Sequence, residues 1–243
     1  MKLGSRILTV VALVTALTAT PLLAEQDSTG MVAASRGEVI ALSNGVPTNT
    51  DGRGAFQELD SVPMMRPVTK WAARIVAPET TPWVMQRAFS IAKNGRPGAV
   101  FIDIPSDLAL RETTMPNYQP SLPRHRSRPE KDAVETAAKL LAAAKKPLAI
   151  CGSGAVSAGA FAQIHNLAEM LGMPVFTTPG GRGIFPESHD LALGQVGLYF
   201  TEAGRRYFDD ADVVLAIGSR LEDFSTGSWR LWPRKAQFIQ IDI

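Results

Sequence analysis

The sequence predicts an α/β protein, a doubly wound parallel sheet preceded by a partial α/β domain, and three observations predict it. Short apolar runs recur at Val39–Leu42, Val100–Ile104, Leu148–Cys151, Pro174–Thr177, Asp212–Ile217 and Gln237–Ile243. Between them lie stretches with apolar residues at helical spacing, and strands alternating with helices build a parallel sheet whose crossovers cover both faces. The periodicity lapses between Pro105 and Pro129, where Pro116, Pro120 and Pro123 gather, so a connection between two domains is expected there.

Along the chain, residues 1–35 form a signal-like or divergent segment. Lys2 and Arg6 precede the apolar stretch Ile7–Leu17, which imitates a secretory signal, although Leu22 stands where cleavage prefers a small residue. The alternative is a core helix with Val10, Val11, Val14 and Leu17 on one face. The stretch is short for a membrane span, which needs about 20 apolar residues. Residues 36–112 are read as a partial α/β domain. Val39–Leu42 is expected as a short buried strand, followed by a loop rich in Gly and Asn from Gly45 to Gly54. Thr81 and Pro82 cap and start a helix to Lys93, with Met85, Ala88, Phe89 and Ala92 on its packed side and Gly95 as its stop. Residues 113–129 are the linker. Residues 130–243 are read as a second domain with helices at Lys131–Ala144, Ala158–Leu171 and near Thr201–Asp209, Gly172 ending the second.

Composition narrows the function classes. The 243 residues are 45% hydrophobic and carry 25 basic against 23 acidic side chains, a net charge of +2. That balance gives no electrostatic footprint for nucleic acid, and the one basic cluster, Arg124 to Lys131, reads as a solvated linker. The single cysteine, Cys151, follows an apolar run where a buried inert thiol is expected. The three histidines, His125, His165 and His189, lack ligand spacing, so no metal site and no catalytic residue is assigned.

The chemistry-bearing candidates are turns. Gly152-Ser153-Gly154-Ala155-Val156-Ser157 follows a strand and opens a helix, close to the glycine turn that lets a backbone approach a pyrophosphate, the mark of a Rossmann-like unit. Ser157 stands in place of the third glycine, and Thr177-Thr178 ends the next strand where an acid would hold a ribose, which argues against a plain nicotinamide dehydrogenase. The alternative is a tight turn without ligand. Gly194, Gly197, Gly218, Ser219 and Arg220 also fall where strands end, so they are read with Gly152 and Gly154 as one cofactor crevice. Arg220 offers a fixed positive fork to a phosphate or pairs with Glu222 or Asp223.

In order, Gly45-Val46-Pro47-Thr48, Gly54-Ala55-Phe56-Gln57-Glu58-Leu59-Asp60, Arg66-Pro67-Val68-Thr69-Lys70, Arg96-Pro97-Gly98-Ala99-Val100 and Asp103-Ile104-Pro105-Ser106-Asp107 resemble the end of the pyrimidine-binding domain of acetolactate synthase-like, thiamine-diphosphate-dependent enzymes. Leu148–Gly154, Leu167–Thr178, Gly183–Pro186, Leu193-Gly194, Ala211–Leu221 and Phe238–Ile243 resemble that family's central domain. The resemblance implies thiamine diphosphate and Mg²⁺ in the full-length family, a 2-keto acid substrate such as pyruvate, transferase or lyase chemistry in branched-chain amino acid biosynthesis, a homo-oligomer and a cytoplasmic location. It implies that Phe56 and Gln57 lie on a loop near substrate, the ring for packing and the amide for hydrogen bonding, and that Lys70 adds a cation there. Loop anchoring for Phe56 and a solvated charge for Lys70 are the alternatives. The family's activating glutamate and its Gly-Asp-Gly to Asn-Asn stretch are not found, so the chain by itself is expected not to turn over pyruvate. Gly194–Phe200 lacks the Met-His-Gly sequence usual in flavin-binding members, which leaves FAD, ADP or an empty crevice open.

Overall fold

The structure is a computed structural model that describes residues 39–112 and 127–243. The signal-like stretch and most of the expected linker lie outside the described residues. The chain divides into two compact units, one within Gln26–Arg126 and the other containing Ser127–Ile243.

The first unit runs β1 (Ile40–Gly45), α1 (Ser61–Met65), a 3₁₀ turn at Arg66–Val68, β2 (Trp71–Arg74), a 3₁₀ turn at Pro78–Thr80, α2 (Thr81–Lys93), β3 (Val100–Pro105) and α3 (Ser106–Ala109). Its three strands are parallel in the order β1-β3-β2. The central strand β3 is nearly all buried, whereas β1 is longer and more open than the sequence suggests, with Leu42 57% exposed. The reason is position: among the described residues β1 pairs along one edge only, with β3. Helix α2 makes the crossover from β2 to β3 and buries Val84, Ala88 and Ala92, a spacing of one face. Phe89, expected on that face, is on the exposed side, and the cap is Thr80, one residue before the expected Thr81. The strand β2 was not expected, because Trp-Ala-Ala-Arg has no alternation and no β-branched residue; pairing with β3 makes it a strand.

The second unit runs α4 (Lys131–Ala143), β4 (Pro147–Cys151), α5 (Ser153–Ala158), α6 (Phe161–Leu171), β5 (Val175–Thr177), β6 (Ala192–Gln195), α7 (Glu202–Asp209), β7 (Val213–Ile217), α8 (Asp223–Thr226) and β8 (Gln237–Ile241), with 3₁₀ turns at Pro179–Gly181 and Gly197–Tyr199. Its five strands are all parallel, in the order β6-β5-β4-β7-β8. Alternate residues of β4 and β7 serve opposite cores. Ala149, Cys151, Leu215 and Ile217 pack with Val134, Leu141, Ile164 and Leu167 of α4 and α6. Leu148, Ile150 and Val214 pack with Phe176 and with Phe208 of α7. Helices on both faces of a parallel sheet are the doubly wound α/β fold predicted from the sequence.

The helix expected over Ala158–Leu171 is α6, which starts at Phe161, and a separate short helix, α5, precedes it directly after Gly152. Gly159, in the left-handed region at φ 68°, ends α5 and turns the chain. The strand β6 and the four-residue helix α8 were not anticipated either.

Candidate functional site

The strand order places a topological switch point at the carboxyl ends of β4 and β7: from β4 the chain winds outward through β5 to β6, then crosses to β7 and winds the other way to β8. Ligands of open α/β sheets bind at such points. The structure brings Gly152, Gly154, Gly218 and Ser219 together there. The Gly152 N–H donates to the Ile217 carbonyl at 2.8 Å, and the Gly154 N–H donates to the Gly218 carbonyl at 2.9 Å. A Cβ on Gly154 would stand 2.7 Å from the Gly218 Cα, and one on Gly152 would run into the Gly218 carbonyl oxygen. Gly218 itself sits at φ 59°. These glycines therefore serve the chain's own close approach, and two amides of the turn are already bonded.

The other expected members are spread along the same edge of the sheet. Gly197, at φ 80°, lies against the backbone of Phe224 and Ser225 in α8, where a side chain would collide. Gly194 lies on the outer strand β6 at φ 78° with open space beside it. Ser219 is buried, and its hydroxyl oxygen accepts from the Leu221 N–H at 3.2 Å. Arg220 is exposed, and among the described residues no ion pair joins it to Glu222 or Asp223. Glu222 instead caps α8, accepting from the N–H groups of Phe224 and Ser225 and from the Ser225 hydroxyl. The Ser225 bond, with help from the two amides, holds its carboxyl below the ordinary glutamate range. Leu198, Tyr199, Phe224 and Trp229 are more than half exposed, an apolar surface around this turn system.

In the first unit, the loop after β1 displays Phe56 and Gln57. Phe56 is 89% exposed, and Gln57 is held at φ 62°, a left-handed conformation unusual for a side-chain-bearing residue and common where strain serves a site. The loop is pinned from within and without. Glu58 accepts from the N–H groups of Ala55 and Gly52, which lower its pKa. Arg74 of β2 donates to Asp51 at 2.7 Å and reaches the Val46 carbonyl, while its Nε lies 3.3 Å from the buried Asp103 carboxylate. Asp103 also accepts from the Ser43 hydroxyl at 2.6 Å. Lys70, directly before β2, reaches across to the end of α2, where its ammonium donates to the carbonyls of Ile91 and Asn94. It serves there as a cation on a helix C-terminus.

Sequence reasoning missed the Arg74–Asp103–Ser43 cluster, whose members lie on three strands joined only by pairing. It also assigned no grouping to the histidines, yet His165 and His189 have ring centroids 5.2 Å apart with Glu169 beside them. The signal available was His165 and Glu169 four residues apart on a helix.

The five-stranded unit, with its glycine-packed switch point, is a nucleotide-binding-type α/β domain in architecture, and residues 134–243 match the central domain of the thiamine pyrophosphate enzymes. Over 216 residues the chain is 39% identical to the probable acetolactate synthase large subunit of Methanocaldococcus jannaschii, covering 84% of this chain and 36% of that protein. It is 36% identical over 213 residues to acetolactate synthase of Mycobacterium bovis (84% and 34%), and 34% identical over 215 residues to the isozyme 3 large subunit of Escherichia coli (84% and 37%). Residues 134–243 are a thiamine pyrophosphate enzyme central domain, and the chain as a whole is acetolactate synthase-like. It spans roughly a third of the length of these curated relatives. No helix among the described residues is long and apolar enough to cross a membrane.

Proposed function

We propose that this chain works as part of a thiamine-diphosphate-dependent enzyme on 2-keto acids, joining pyruvate units in the manner of acetolactate synthase within branched-chain amino acid biosynthesis. The observation that carries this reading is the continuous likeness to acetolactate synthase large subunits across both units, over 84% of the chain. In this reading residues 36–112 belong to the pyrimidine-binding domain and 130–243 are the central domain, in a cytoplasmic homo-oligomer. Phe56 and Gln57, displayed on a loop braced by Glu58 and Arg74, face substrate. The bonds of Lys70 to the end of α2 favour a structural part for that residue.

The cofactors fit unequally. Mg²⁺ prefers carboxylate and phosphate oxygens. Two carboxylates of the loop that carries Phe56, those of Asp51 and Glu58, are held by Arg74 and by loop amides, so these two do not fit Mg²⁺ or a diphosphate. FAD or ADP suits the switch-point edge better through Arg220 and the exposed rings of Tyr199, Phe224 and Trp229 than through the bonded amides of Gly152 and Gly154. The test is a chimera in which residues 39–243 replace the matching stretch of the M. jannaschii large subunit, supplied with thiamine diphosphate, Mg²⁺, FAD and pyruvate. Acetolactate formation is expected, and a folded chimera without turnover overturns the assignment.

The exposed Arg220 and the exposed rings of Tyr199, Phe224 and Trp229 at the switch-point edge also suit a second reading, a non-catalytic nucleotide-binding or dimerisation module. Titration of the chain with FAD and ADP, read together with the chimera assay, separates the two: flavin quenching relieved by Arg220→Ala without acetolactate from a folded chimera marks a binding module.

A further inference from the structure

Helix α6 presents His165 and Glu169 on one face, four residues apart. The loop between the Pro179–Gly181 turn and β6 brings His189 against them. One nitrogen of each imidazole and one oxygen of the carboxylate lie within 4.8 Å of one another. The Glu169 carboxylate is 3.2 Å from His189 Nε2, and the ring of Phe185 packs on both histidines, with centroids 5.8 Å from His165 and 4.9 Å from His189. A simple His–Glu contact accounts for two of the three groups. It leaves out His165, which among the described residues has ring contacts and no hydrogen bond or ion pair.

We propose that His165, Glu169 and His189 form a binding site for one Zn²⁺ ion, separate from the glycine-packed switch point and from the loop of Phe56 and Gln57. Two imidazole nitrogens and one carboxylate oxygen are the donors that zinc accepts, whereas Mg²⁺ and Ca²⁺ prefer oxygen alone. Zinc bonds of about 2.1 Å set tetrahedral ligands about 3.4 Å apart, so the widest separation in the group, within 4.8 Å, must contract by up to about 1.4 Å. Glu169, whose side chain is 56% exposed, has the freedom to do so, and its exposure leaves the fourth position to water. The Phe185 ring forms the apolar wall that limits how the imidazoles turn.

One existing bond competes. The Leu191 N–H donates to His189 Nδ1 at 3.1 Å, so the proton of the metal-free ring sits on Nε2, directed at Glu169. Ligation through Nε2 moves that proton to Nδ1 and releases the Leu191 amide, which weakens binding by about fivefold relative to a site without this bond. The bound ion would tie α6 to the loop that leads into β6.

The test uses the whole chain without an affinity tag, stripped with chelator, titrated with Zn²⁺ by calorimetry and with Co²⁺ by visible absorption. One equivalent is expected to bind with micromolar affinity or tighter, Co²⁺ gaining the intense bands of low coordination and yielding to Zn²⁺ but not to Mg²⁺. Glu169→Gln and His165→Asn, both of which keep the Leu191–His189 bond, should each weaken binding about tenfold or more with circular dichroism unchanged. Absence of saturable binding to the unaltered chain overturns the proposal, whatever the variants do. Binding that neither substitution weakens places the metal elsewhere and overturns it equally.

Discussion

Gly218 directs its carbonyl oxygen into the space that a side chain on Gly152 would occupy, so β4 and β7 meet at their carboxyl ends backbone against backbone. Gly152→Ala should therefore force the two strand ends apart and lower the unfolding free energy by about 3 kcal/mol. Gly194→Ala, also at positive φ but facing open space, should cost only the backbone strain of about 1–2 kcal/mol. Urea unfolding of the two variants compares them directly, and equal losses would count against the close approach as the reason for glycine at 152.

Lys70 and the end of α2 lead to a second expectation. Lys70→Met removes two charge-assisted bonds to carbonyls that α2 cannot satisfy itself, and should destabilise the chain by about 1 kcal/mol. Thermal unfolding measures it. An unchanged midpoint, together with lost activity in the chimera, would return Lys70 to the substrate side.

The Glu58 carboxyl titrates below its ordinary value because the Ala55 and Gly52 amides donate to its charged form. A group whose folded pKa is depressed supports the fold fully above its unfolded pKa, about 4.3, and loses that support as pH falls through the lower folded value. The amide proton shifts of Gly52 and Ala55, followed by NMR, should thus turn over below about pH 4.3. In Glu58→Gln that titration should vanish. A midpoint at or above the ordinary value would mean that the loop is not braced by this carboxylate.

Burial pushes the Cys151 thiol up to about 12. At pH 8 only about one molecule in ten thousand would carry the thiolate, the form that reacts. Cys151 should resist a maleimide or disulfide reagent in the folded chain and react at once in denaturant, so modification as fast as that of an unfolded peptide would contradict its place in the core.

How much of this was legible in the sequence depends on where the information sits. Pro147–Cys151 and Val213–Ile217 announce themselves as strands because every residue of each is buried, and a strand covered on both faces reads as an unbroken apolar run. Trp71–Arg74 and Ala192–Gln195 carry no such run, being strands by virtue of their neighbours β3 and β5. The same division holds in the candidate sites. Gly152 and Gly154 stand out as a local motif, but that their amides are spent on Ile217 and Gly218 is a fact about residues far along the chain. The meeting of His189 with His165 and Glu169 is equally non-local. Only the pair on the helix was visible beforehand.

The central strand β4 lies between β5, which follows it closely, and β7, which comes only after β6 and α7. During synthesis the nascent second unit can form α4 to α6 and a β4–β5 pair, yet the remaining edge of β4 stays bare until Val213–Ile217 has cleared the ribosome. Long-range parallel pairing of this kind folds slowly and leaves intermediates with unpaired strand edges. Chaperone demand should accordingly peak when the chain has grown past β5 and has not yet delivered β7.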